Sequence, residues 1–501
     1  MPTSPLDGPH HSPDETVPRR LSRRALLGGA AALGAGAALT PLGGWSAAAA
    51  TSGSYAIRYD QAPKQTILGL GFEIQSDSIG SGNNGLPDTV SGVPYDLTAG
   101  ERARFYRQML MGGRADRGFR YCRLAMGLYY RGTDPDGKQM TGRYPGQTEL
   151  LAEMIQQSGI EGTSVEYWSP APGWKSNNSF IGGSLASFEP GFLAQFGQAL
   201  VEDLDQLTGH GVPVSMWGLQ NEPRFSTAYS SCVYTADQYL ATFKAVAPRI
   251  RATHPQVMIT ADSLDGWGGA IGQAIAQDAE ALSFLDAWTY HRIGYDSTYQ
   301  IDHDFNAGAL GKTVFNNEFE YLDNQTSDTR TLNTAQSLMN WMTFQNAPTW
   351  FWLHALKPTT NAEAPGYSLG YWRPPGDTDF SHFPDIPVGH WDYNPQNWNA
   401  VAGFVTYMPW NSVRYAVDES AVLPDQRIMA WRTAGGKPVF AITNRSTTDS
   451  FTFTVDTRTA APFQGHRYGP STNNATIGTS SGPELTLTVP PLSIEFWVRT
   501  P

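Results

Sequence analysis

Cysteine is scarce: two residues, Cys122 and Cys232, in a chain of 501. Two are too few for a disulfide scaffold or a cysteine-ligated zinc site. Cys122 stands inside an apolar strand pattern and reads as a buried thiol, with a single bridge to Cys232 as the alternative. Basic residues are also short, 34 Lys and Arg against 46 Asp and Glu, and no stretch interleaves basic with aromatic residues as a phosphate backbone requires. Nucleic acid is excluded as a partner, and a neutral or weakly charged ligand suits the acidic surface better. Beyond the first fifty residues no apolar run reaches the length of a membrane span. Metal-ligand spacing is missing except at Asp302-His303-Asp304, three adjacent residues that cannot easily all face one ion. The expectation is a protein that uses neither metal nor cofactor and works as a monomer.

What is present begins with aromatics, fifteen Trp and twenty-two Tyr, whose flat amphipathic rings suit sugar faces as well as cores. The N-terminus carries Arg19-Arg20 and Ser22-Arg23-Arg24-Ala25-Leu26-Leu27, then a run of Ala, Gly and Leu ending near Ala47-Ala48-Ala49-Ala50. This pattern looks like a twin-arginine export signal, weakly hydrophobic and too short to anchor, with small residues before Thr51 for cleavage. Its removal takes four Arg and three acids, leaving 30 basic against 43 acidic side chains, a net of −13. The mature protein is expected to be secreted and to have no membrane segment.

From Gly69 to Thr359, short apolar runs alternate with longer segments of helical period, which predicts repeated strand-helix units around a parallel sheet. Eight strands are predicted: Gly71–Gln75, Phe119–Met126, Ser164–Trp168, Val212–Leu219, Val257–Ala261, Leu285–Tyr290, Thr313–Phe319 and Thr349–Leu353. Helices are predicted at Glu149–Gln157, Leu193–Leu207, Ala236–Arg251, Leu332–Phe344 and Trp398–Met408. The fold class is α/β: a (β/α)8 TIM barrel over residues 69–410, with a side β-sandwich over 411–501. Residues 51–68, with the alternating Tyr55-Ala56-Ile57-Arg58-Tyr59, would lend the sandwich an N-terminal strand. The Gly-, Pro- and aromatic-rich stretch from Pro358 to Pro395 reads as a long loop over the barrel mouth.

Chemistry in such a barrel sits at the C-terminal strand ends. There the fourth strand runs into Trp217-Gly218-Leu219-Gln220-Asn221-Glu222-Pro223, and the seventh into Asn316-Asn317-Glu318-Phe319-Glu320-Tyr321. Two carboxylates across one cleft suggest glycosidic bond hydrolysis, in which retention needs a proton donor and a nucleophile about 5–5.5 Å apart. Glu222 suits the donor, because an aromatic-rich cleft with a neighbouring carboxylate favours the neutral acid. Asn221 beside it can bond a sugar hydroxyl. Strict alternation puts Glu318 and Glu320 on one side of the seventh strand, with Phe315, Asn317 and Phe319 opposite. Glu318 is preferred as nucleophile and Glu320 as a supporting contact. Trp168, Trp174 and Trp352 could floor a sugar site, core packing being their other use.

With Trp168-Ser169-Pro170-Ala171-Pro172-Gly173-Trp174-Lys175-Ser176-Asn177 and the segment Asn397 to Trp410, these motifs make nearly the whole mature chain resemble glycoside hydrolase family 30. The resemblance implies Glu222 as acid/base, Asn221 as its sugar-binding neighbour, Glu318 as nucleophile and Arg123 as the cation that keeps it ionised. It also brings in His291 on the sixth strand, where Ile293 replaces an expected aromatic and Tyr290 or Tyr295 would substitute as donor to the nucleophile. Glu73 stands where relatives have small residues, which points to a different sugar subsite. The implied activity is a secreted β-glycosidase working by double displacement on oligo- or polysaccharides. The alternatives are an inverting enzyme and a carbohydrate-binding protein with weak turnover.

Overall fold

Eight apolar runs give eight parallel strands, whose side chains have no solvated face to alternate toward. They are Leu70–Glu73, Phe119–Met126, Gly162–Tyr167, Val214–Gly218, Met258–Leu264, Ala287–His291, Thr313–Glu318 and Phe351–Trp352, called barrel strands one to eight. The computed structural model describes residues 51–74, 79, 96–112, 118–291, 309–321, 327–360, 364–377 and 383–500. The predicted export signal, Gln75, Ile293, Tyr295 and Asp302-His303-Asp304 lie outside them. Neighbouring strands pair in the order seven, six, five, four, three, two, one, eight. The ring closes where Phe319 N donates to Phe351 O at 3.0 Å and Leu353 N donates to Phe319 O at 3.0 Å. The barrel of the sequence reading is therefore present, with strand limits shifted by a few residues.

Helices flank the strands on the outside, at Ala99–Phe105, Gln147–Ser158, Pro190–Gly209, Ala236–Thr253, Ala270–Gln277, Arg330–Gln345 and Pro395–Tyr407 among others. Their starts follow local chemistry. Thr235 and Gln238 form a reciprocal capping box that satisfies two otherwise orphaned amides. Pro190 and Pro395 sit in the first turn, where no amide is needed. Among the described residues no helix is long and apolar enough to cross a membrane. Cys122 and Cys232 are both free and buried, so no bridge joins them.

The stretch read as a long loop is partly structured. His354–Pro358, Ser368–Trp372 and Trp391–Tyr393 build a three-stranded sheet of their own. Aromatic residues such as Tyr371, Trp372 and Trp391 pack well on a pleated surface, and this outweighs the turn-forming composition around them.

The side domain is a sandwich of a four-stranded and a seven-stranded sheet. Its N-terminal contribution is double. Ser52–Ile57 lies between Val417–Glu419 and Phe451–Asp456 in the smaller sheet, while Gln65–Ile67 pairs with Ser412–Tyr415 in the larger. The inner core, with Ile57, Ile428, Phe440, Phe453, Leu487 and Val489, comes from alternate positions of these strands. The barrel helix Pro395–Tyr407 lies directly against the sandwich: a Cβ on Gly403 would fall 2.0 Å from the Phe496 ring, so only glycine permits this approach.

Candidate active site

Arg123 enters the barrel mouth from strand two with its side chain wholly buried, and three carboxylates converge on it. Its Nη1 donates to Glu318 Oε2 at 2.6 Å. Its Nε donates to Glu166 Oε2 at 2.9 Å, and Nη2 makes a closer bond to the same oxygen. Glu73 Oε2, from strand one, lies 3.5 Å from Nη1. Burial opposes the guanidinium charge, but Glu166, Glu318 and Glu73 outweigh it and raise the pKa above the ordinary arginine value. The Trp168 ring covers one face of the guanidinium, 4.4 Å from Cζ.

Glu222 follows strand four and is buried with φ of 45°, the left-handed region that a non-glycine residue adopts at a cost of about 1–3 kcal/mol. The turn is fixed from both sides: Asn221 N donates to Tyr167 O at 2.7 Å, and Phe225 N donates to Glu222 O at 2.9 Å. Asn221 Oδ1 accepts from Arg123 Nη2 at 2.7 Å, which aims its amide group away from the arginine. His291, the last residue of strand six, stands between the two halves. Its Nδ1 is 3.1 Å from Glu222 Oε1 and its Nε2 is 3.6 Å from Glu318 Oε2.

Donor atoms of Glu222, His291 and Glu318 lie within 4.8 Å of one another, the one grouping among the described residues compact enough to hold a metal ion. The three side chains are already engaged, His291 with Glu222 and Glu318 with Arg123, and a fixed guanidinium beside Glu318 repels a second cation. What the arrangement offers chemically is two carboxylates on opposite sides of a small gap, one beside an arginine and one beside a histidine.

No protein-family model and no curated protein matches the sequence. Solved structures do. The catalytic domain of the GH30 xylanase C from Talaromyces cellulolyticus aligns over 89% of this chain and 100% of its own, with a TM-score of 0.64 at 17% identity. An endo-β1,6-glucanase aligns over 89% and 94%, with 0.65 at 14% identity. The GH51 arabinofuranosidase from Xanthomonas axonopodis pv. citri aligns over 90% and 100%, with 0.59 at 12% identity. The chain shares its fold with glycoside hydrolases, members of family 30 among them.

Within this fold, the structure gathers Glu222, Glu318, Asn221, Arg123, His291, Glu73 and Trp168 into one cluster. It takes other residues elsewhere. Tyr290 lies on the outer side of strand six, its ring 5.6 Å from Trp341 of the helix Arg330–Gln345 and filling the space beside Gly266. Trp174 packs against Phe192 and Phe196 and donates to Lys138 O at 2.8 Å. Trp352 is fully buried among Phe319 and Trp350. Glu320 is buried one step past the closing residue Phe319, whereas Glu318 is the acid that meets Arg123.

The alternation expected on strand seven fails at one point. Tyr290 pairs with Asn316 but His291 with Glu318, so Asn317 is an extra residue bulged out of register. As a result Asn317 faces the barrel interior together with Glu318, and its Nδ2 donates to Ser263 Oγ at 2.8 Å and Glu166 Oε2 at 3.3 Å. Glu166 and Ser263 were missed in the sequence. Glu166 had the same signal as Glu222, an acid closing an apolar strand, in Ser164-Val165-Glu166-Tyr167. His354, just past strand eight, was missed too. Its Nδ1 lies 3.5 Å from Glu73 Oε1, and burial first, then the Lys357 and Arg123 charges, hold its pKa well below the usual histidine range.

Proposed function

We propose that the protein is a retaining β-glycosidase, acting on β-linked oligo- or polysaccharides as a secreted, metal-independent monomer. The observation that carries this reading is the closeness of its two mouth carboxylates, one oxygen of each lying within 4.8 Å of the other. Retaining hydrolases hold the pair about 5–5.5 Å apart, while inverting ones need about 6.5–9.5 Å to admit water between them. The xylanase, glucanase and arabinofuranosidase that share the fold support a sugar substrate.

In this reading Glu318 attacks the anomeric carbon while Glu222 protonates the departing oxygen, giving a glycosyl-enzyme ester and a free leaving group. Glu222 then takes a proton from water, which attacks the same carbon and releases Glu318. Arg123 keeps Glu318 ionised, and Asn221 bonds the hydroxyl beside the reacting carbon. The run from Arg19 to Ala50 directs export through the twin-arginine route.

The test is a panel of aryl β-glycosides and plant polysaccharides incubated with purified protein beginning at Thr51, with the anomer of the first product followed by NMR. Initial release of the β-anomer is expected. First release of the α-anomer would overturn the retaining assignment, and tight binding without new reducing ends would favour a binding protein. Export is read separately, by replacing Arg23 and Arg24 with Lys and looking for loss of secreted protein.

A further inference from the structure

Glu166 has no part in the two displacement steps, yet it holds more of Arg123 than Glu318 does. The guanidinium presents its Nε and Nη2 edge to Glu166 Oε2 and leaves Nη1 for Glu318 Oε2. The site is built to accommodate this. Asn317, the bulged residue of strand seven, donates to the same Glu166 oxygen. Strand four carries glycine at position 218, where a Cβ would stand 3.0 Å from Glu166 Oε1 and 3.0 Å from Thr260 Oγ1. Glu166 Oε1 itself has no hydrogen-bond partner among the described residues, although the side chain is 97% enclosed. Stability alone does not explain a buried carboxylate kept with one oxygen unsatisfied beside two other carboxylates, since each such group costs several kcal/mol of desolvation.

We propose that Glu166 is the positioning residue of the reaction: it anchors the arginine so that the guanidinium gives Glu318 one hydrogen bond rather than two. An unanchored guanidinium can turn about its Nε bond and offer a two-pronged fork to Glu318, which would draw the carboxylate off its line of attack. The anchor also orients Asn221, whose Oδ1 takes the remaining Nη2 hydrogen. Through Asn317, Ser263 and His291 it reaches the Glu222 side as well: Ser263 Oγ is 3.4 Å from His291 Nε2. Titratable or charged groups around Glu166 come from every neighbouring strand: Arg123, Glu73, Glu222, His291, Glu318, and beyond them His354 and Lys357.

This inference rests on the glycosidase reading and is tested so that the two can fail apart. Glu166→Gln keeps the shape and removes the charge, while Gly218→Ala keeps the charge and crowds Oε1. Both are assayed on an aryl β-glycoside with an excellent leaving group, whose cleavage depends on Glu318 more than on the acid. Glu166→Gln is expected to lower kcat/KM about 100-fold, the scale of a misplaced reacting group, and Gly218→Ala to lower it less. In Glu166→Gln the acidic limb of the pH profile should also move to lower pH, because Arg123 is then shared by one carboxylate fewer. Unchanged kcat/KM, or a loss with an unmoved pH profile and a fallen melting temperature, would show Glu166 to be a structural ion pair and overturn the proposal. If the unaltered protein or Glu318→Gln fails to behave as a retaining glycosidase requires, it is the reading beneath that falls.

Discussion

The barrel mouth and the side sandwich bury charge in opposite ways. In the sandwich charges meet one to one or not at all: buried Arg427 pairs with Glu419 at 3.0 Å, half-buried Arg467 with buried Glu495 at 2.7 Å, and buried Arg414 bonds the neutral Gln65 and Asn346. The strands around them obey alternation, Phe451–Asp456 and Glu484–Val489 turning every second side chain inward. In the mouth one arginine faces three carboxylates, a fourth sits on a strained backbone, and a bulge breaks the pattern of strand seven. A region that only has to fold can settle on balanced pairs. On the glycosidase reading, the region that reacts retains surplus negative charge, which other parts of the fold must stabilise.

The comparison is sharpened most by removing the surplus itself. Glu222→Gln should cost about 10²–10⁴-fold in kcat, as loss of a general acid does, and Glu318→Gln at least as much. Both variants should melt no lower than the parent, since they relieve like-charge repulsion in a closed space. A fall in melting temperature would mean that the mouth is held together by its carboxylates, as the sandwich is by its pairs. Next in size are the two arginines. Arg123→Leu and Arg427→Leu each strand buried acid and should cost about 3–5 kcal/mol by denaturant titration. Only Arg123→Leu should abolish turnover, and an equal loss from Arg427→Leu would erase the distinction between the regions.

A lone buried acid makes an intermediate case. Asp203, on the helix Pro190–Gly209, accepts from Met140 N and Tyr167 Oη, and burial pushes its pKa up to about 8. A raised carboxyl pKa contributes stability that is full below about pH 4 and is lost as pH rises through about 8. The melting temperature should therefore fall across that window, and Asp203→Asn should flatten the slope. An unchanged slope would assign the pH dependence to the mouth instead. The smallest effect serves as a reference outside both regions: Thr235→Ala breaks the capping box and should cost about 1 kcal/mol without touching kcat.

The regular parts were legible. Apolar runs of strand length announced all eight barrel strands, and the helical period at Ala236–Arg251 falls within the observed Ala236–Thr253. Glu222 and Glu318 could be picked out because each ends such a run. What escaped were features set by tertiary context. Nothing local to Asn317 marks a bulge, which exists because strand six shifts register against it. The three-stranded sheet from His354 to Tyr393 hid behind turn-forming composition. Glu166 was readable in principle but was taken as part of its strand, because its meaning depends on an arginine 43 residues away.

The first strand of the sandwich carries a consequence for timing. Ser52–Ile57 runs parallel to Phe451–Asp456, and Ser54 N bonds Ser420 Oγ across 366 residues of chain. At about 5–20 residues per second, the ribosome keeps this segment waiting for roughly 20–80 seconds before its partners exist. The first of the described strands is therefore paired only after several hundred further residues have been made, so the small sheet of the sandwich closes long after its first strand appears.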